Sequence, residues 1–166
     1  ALLFASQVWA AFPTVANVGS GGDSSAGTSH AVTLPASIAA GNLLLAWITC
    51  RNSNAVISEP AGWTTRIDTD SGSLGTAEVV SALFSKTGVG DEGATVSVST
   101  DISVVCSWIT HRITGQHAST TPESGTPAFG ASTTPDPPSL TPSWGAADTL
   151  WIAWTGYSTS VATSAY

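Results

Sequence analysis

The sequence predicts an all-β fold, an antiparallel β-sandwich of jelly-roll-like organisation with an extended N-terminal arm. Three observations predict it. Strand-length runs, either apolar or alternating, recur every 10–15 or so residues with Gly- and Pro-containing turns between them. Charged residues are only 9% of the chain and Lys86 is its single lysine, so the surface is left to Ser, Thr, Gly and Ala, and good helix formers are scarce. Hydrophobic residues make up 42% of 166 residues, which suits one domain able to bury a core without metals or disulfides.

Residues 1–12 read as an arm ahead of a single domain over 13–166. Its apolar positions Leu2, Leu3, Phe4, Val8 and Trp9 are too few to form a core, and a partner chain would explain them best. Residues 19–29 (GSGGDSSAGTS) read as a flexible loop and 31–34 as a short strand closed by Pro35. Residues 43–50 (LLLAWITC) form a continuous apolar run of strand length, predicted to be buried on both faces. After a turn at Pro60-Ala61-Gly62, residues 63–68 (WTTRID) alternate as a half-buried strand does. Residues 78–86 (EVVSALFSK) suit helix or strand and are read as strand from their neighbours. Residues 94–99 alternate cleanly, and 104–113 (VVCSWITHRI) are the longest strand candidate. The Ser-, Thr- and Pro-rich stretch 116–142 is too long for an idle connection and reads as an exposed functional loop or an arm. Residues 149–155 (TLWIAWT) read as another buried strand.

That last run repeats the first. Asn42-LLLAW-Ile48 and Thr149-LWIAW-Thr155 lie 107 positions apart, each six residues after a proline turn. The expectation is two equivalent strands in two sheets or half-sandwiches. The same offset carries Pro60 one position past Tyr166, so the natural C-terminal strands are expected to be missing.

A net charge of −7 with four basic residues gives no stripe for nucleic acid and no attraction to an anionic membrane surface. No apolar run reaches the ~20 residues of a membrane span. Cys50 and Cys106 read first as buried apolar thiols; a disulfide requires neighbouring strands, and neither cysteine has metal-ligand spacing around it. His30, His111 and His117 match no ligand pattern, and no GxSxG elbow is present. Asp68-Thr69-Asp70-Ser71-Gly72-Ser73 lacks the distal Glu of a calcium loop and reads, like Asp91-Glu92-Gly93, as a solvated turn. The expectation is a chain that is not an enzyme and carries no cofactor and no metal. Of seven tryptophans, Trp47, Trp108, Trp151 and Trp154 sit in apolar strands and read as core. Trp63 and Trp144 lie near turns and join Leu2, Leu3, Phe4, Val8 and Trp9 as candidate interface residues.

Gly41-Asn42-LLLAW, Pro60-Ala61-Gly62-Trp63-Thr64, Phe84-Ser85-Lys86 and Gly90-Asp91-Glu92-Gly93 before ATVSVS occur in an order that resembles jelly-roll structural proteins of tailed bacteriophages. The resemblance runs from about Pro13 onward, and its motifs belong to the fold rather than to catalysis. It implies a virion protein, most directly a capsid decoration (cement) protein that stabilises the shell through subunit contacts. Its implied partners are further copies of itself, often as a trimer, and the major capsid protein or other virion proteins. The alternative is a tail-fibre protein, adhesin or carbohydrate-binding module that stacks glycans on Trp63 or Trp144.

Overall fold

The computed structural model describes residues 12–52, 54–72, 78–117, 121–129, 137–145 and 148–157. The chain is all-β, and two antiparallel sheets pack face to face as a β-sandwich. Its strands are β1 (Thr14–Gly22), β2 (Gly27–Thr33), β3 (Leu43–Arg51), β4 (Thr64–Asp70), β5 (Val79–Thr87), β6 (Thr95–Val104) and β7 (Cys106–Thr114). Five of them form one sheet in the order β1-β7-β3-β5-β4; β2 and β6 pair in the other. The N-terminal candidates Leu2, Leu3, Phe4, Val8 and Trp9 lie outside the described residues.

β3 is the centre of the larger sheet and is buried on both faces, as its unbroken apolar run requires. Leu44, Ala46, Ile48 and Cys50 point between the sheets, where they meet Val80, Ala82 and Phe84 of β5 and Val32 and Val98 of the smaller sheet. Leu45 points to the other face, with Leu83, Ile113, Leu43, Trp47 and Ile67. Alternation with period two assigns each strand residue to one of these layers.

Three expectations are corrected. First, residues 19–29 are mostly strand. Gly19 is buried and Gly21, though exposed, lies against Trp108: a Cβ on Gly19 would lie 2.8 Å from the Thr33 carbonyl oxygen and one on Gly21 2.8 Å from the Trp108 indole. The glycines are there for close approach, not flexibility. Second, 104–113 is not one strand. β6 ends at Val104 in the small sheet and β7 begins at Cys106 in the large one, so the chain changes sheets at Val105.

Third, residues 149–155 form no strand and join neither sheet, although they repeat the β3 pattern. They lie flat on the back of the large sheet. Leu150 and Ile152 pack into its apolar cluster, Trp154 stacks on Trp47 with ring centroids 5.3 Å apart, and Trp151 turns outward, 57% exposed. Period two describes any extended segment with one face covered, whether or not a ladder pairs it. The described parts of 116–142 are mostly exposed, as expected, and are held by side-chain bonds: Ser124 Oγ donates to the Arg66 carbonyl of β4, and Ser143 donates from N and Oγ to the Glu123 carboxylate.

Asp68 and Asp70 lie in β4 rather than in a turn, and both acidic segments carry local hydrogen bonds. Glu92 folds back to accept the N–H groups of Val89 and Gly90 and pairs with Lys86 at 3.5 Å, and Asp70 accepts the Gly72 N–H.

Candidate functional site

Among the described residues, reactive side chains converge between the sheets at the β6–β7 crossing. Cys50 of β3 and Cys106 of β7 stand directly opposite in the ladder. The Arg51 N–H donates to the Val105 carbonyl, which makes Cys50 and Cys106 a non-hydrogen-bonded pair, the type whose side chains approach most closely. They are joined in a disulfide, so the reading as two free buried thiols is overturned. Neighbouring strands were the condition for pairing, and the 56-residue separation hid that adjacency.

The elements around the disulfide bring up a histidine and a carboxylate. β2 alternates outward Ser29 and Ala31 with inward His30 and Val32, so His30 enters the core with no exposure at all. Asp23 follows β1 and extends its ladder: its N–H donates to the Cys106 carbonyl at 2.9 Å, and its Oδ2 accepts the Cys106 N–H at 3.0 Å. The same Oδ2 accepts the Nδ1–H of His30 at 2.7 Å. His30 Nε2 then lies 3.0 Å from Thr100 Oγ1 and 3.5 Å from Cys106 Sγ.

Thr100 reaches this position through an irregular strand. The β2–β6 register jumps from Ser29↔Ser99 to Gly27↔Val104, so β6 bulges over 100–103. The bulge directs the Thr100 hydroxyl inward, where it donates to the Ile102 carbonyl at 2.9 Å. Asp23, His30 and Thr100 thus copy the order of a hydrolytic triad. Thr100 is buried and His30 wholly so, which leaves no room for a substrate carbonyl beside the hydroxyl. The Asp23 carboxylate satisfies the Cys106 N–H and the His30 Nδ1–H, buried polar groups that would each cost about 1–3 kcal/mol if left alone.

The sequence offered no signal for this convergence, because residues 23, 30, 50, 100 and 106 meet only through the register of four strands and a bulge.

The surface candidates divide. Trp63 is 6% exposed and belongs to the main core with Ala55 and Ile57, so it is no interface residue. A tryptophan after a proline turn can fold under the sheet it introduces, and this one does; its N–H donates to the Pro60 carbonyl. Trp144 stays at the surface, 37% exposed, its indole N–H donating to Thr149 Oγ1. Sequence reading missed a second surface. Val15 and Val18 of β1, an edge strand of the large sheet, are exposed, as is Phe12 just before it. No family model matches the chain, and no curated protein or solved structure shows significant similarity to it.

Proposed function

We propose that the chain is a non-catalytic structural domain of a virion, most directly a capsid decoration protein that binds further copies of itself and a shell protein. The observation that carries this reading is the edge strand β1. Among the described residues no strand pairs with its outer side, and it exposes Val15 and Val18 with Phe12 just before it. Folded proteins blunt such an edge with charge, proline or a cover, because an apolar open edge invites another chain. Here the edge carries no charged residue from Thr14 to Gly22, and it follows directly on the apolar sequence 1–12. A chain with 9% charged residues also meets neighbours without leaving unpaired ions at the contact. The order of fold motifs supplies the virion context, and the buried state of the Asp23–His30–Thr100 network supports a role without catalysis.

Two measurements test the proposal. Sedimentation of the purified chain should show a defined oligomer, a trimer on this reading. Val15→Lys with Val18→Lys should dissociate it while leaving the strand signal unchanged. A parent chain that stays monomeric at high concentration removes the self-association. Antibody labelling of the particles whose genome encodes the chain should decorate the shell; labelling of the tail supports an appendage instead, and unlabelled particles overturn the virion role.

The exposure of Trp144 and Trp151 favours one second reading, glycan binding by a tail-fibre or adhesin module. Trp63 plays no part in it. A glycan array probed with the parent and with Trp144→Ala and Trp151→Ala decides, since a parent that binds no glycan ends this reading.

A further inference from the structure

We propose that the reduced chain binds one thiophilic cation, with Zn2+ as the reference ion, between Cys50, Cys106 and His30. The three ligand atoms already lie within 4.8 Å of one another, and all three residues are buried. They come from β3, β7 and β2, so the ion would join the two sheets where the disulfide now joins two strands of one.

The geometry has three features of a metal site. Zinc–sulfur and zinc–nitrogen bonds of about 2.3 and 2.0–2.1 Å at a tetrahedral angle set ligand nitrogen and sulfur about 3.5 Å apart. His30 Nε2 and Cys106 Sγ are 3.5 Å apart. A ligating histidine characteristically gives its other ring N–H to a carboxylate, which fixes the tautomer and aims the free lone pair at the metal. Asp23 does this for His30: its Oδ2, held by the Cys106 N–H, accepts Nδ1–H, and Nε2 is left facing the sulfur. Finally, Thr100 Oγ1 stands 3.0 Å from Nε2 and offers the oxygen that completes a fourth position, directly or through water. Two thiolates with a divalent ion form a neutral centre, which a buried site accepts far better than a lone charge.

A phosphine supplies two electrons and leaves as its oxide, taking oxygen from a water molecule whose two protons complete the two thiols as the Cys50–Cys106 bond breaks. The cation then displaces those two protons to solvent and takes the thiolates and the His30 nitrogen as ligands. The sulfurs must part to about 3.8 Å, the distance set by two zinc–sulfur bonds at a tetrahedral angle.

The test compares the oxidised chain with the chain reduced by a phosphine under argon. Each is mixed with Zn2+ or Co2+ and desalted, and retained metal is measured by elemental analysis. The reduced chain should keep one equivalent and the oxidised chain none. The cobalt form should show thiolate charge-transfer and tetrahedral ligand-field bands. His30→Gln and Cys106→Ser should lose the ion, and Asp23→Asn should weaken binding by about 10–100-fold. Circular dichroism follows the fold throughout; if reduction loosens the strands, zinc must restore them. A reduced chain that neither retains zinc nor regains structure with it overturns the proposal. So does a His30→Gln variant that binds zinc as tightly as the parent.

Discussion

Trp63 shows how much one side chain's environment decides. Placed after a proline turn, it has the sequence context of a surface residue, yet it lies in the core beside Ala55 and Ile57. Trp63→Ala should cost about 3–5 kcal/mol in denaturant unfolding, whereas Trp144→Ala should change stability by no more than about 0.5 kcal/mol. Equal effects would mean that the two tryptophans share an environment. His111 gives a pH signature. It sits on the back of β7 opposite Leu45 and Val18, and burial lowers its pKa below the ordinary imidazole value. The unfolded chain therefore binds the proton more readily than the folded one. The stability His111 allows is fully present above its unfolded pKa of about 6.5 and is lost as pH falls through the lower folded value. Melting temperature should fall from pH 7.5 to pH 5, and His111→Gln should flatten that fall. Glu59 and Glu123 accept paired donors from Thr65 and Ser143, which hold both carboxylates below their ordinary range and confine their effect to more acid solution.

At the scale of the element, what was legible depended on whether a pattern has one structural meaning. The unbroken run of β3 fits little but a strand covered on both faces, and its two-sided burial follows from the letters. The run Gly19-Ser20-Gly21-Gly22 has two meanings, a flexible loop or a strand against which something packs closely, and composition does not separate them. Packing does: Thr110 Oγ1 crosses above Gly19 to donate to the Thr33 carbonyl at 2.7 Å, tying β7 to the end of β2. A methyl group at Gly19 would lie 2.6 Å from that oxygen and 2.8 Å from the Thr33 carbonyl, so Thr110 and the backbone behind it would both have to shift. Gly19→Ala should destabilise the chain by about 1–3 kcal/mol, as overpacking does. At Gly27, where the nearest atom would be 3.8 Å away, the same change should be close to neutral. Unfolding midpoints of the two variants, measured side by side, check the contrast, and a harmless Gly19→Ala would return that stretch to the status of a loop.

The whole molecule holds three layers rather than two, and the third is the least readable from sequence. The large sheet has a second apolar face made by Leu45, Leu83 and Ile113 with Leu43, Trp47 and Ile67. Nothing in the alternation of 149–155 distinguishes a strand paired in a ladder from a segment laid across such a face, because both hide every second side chain. The structure takes the second form: Leu150 and Ile152 sit on the cluster, Trp154 stacks on Trp47, and Gly156 lies so close to Thr49 that a Cβ would not fit. This segment covers the sheet without forming a strand, and its hold on that face includes apolar contact and ring stacking. The Trp47–Trp154 pair should therefore show a coupling of about 0.5–1.5 kcal/mol in a double-mutant cycle with alanine. Ending the chain after residue 147 should leave the disulfide-tied sandwich folded but strip the cover from its back. The exposed face would then bind an apolar fluorescent dye and drive association. Strand content by circular dichroism should stay near that of the parent while dye fluorescence and sedimenting mass rise together. A shortened chain that remains dye-free and no larger than the parent would show that the back face needs no cover.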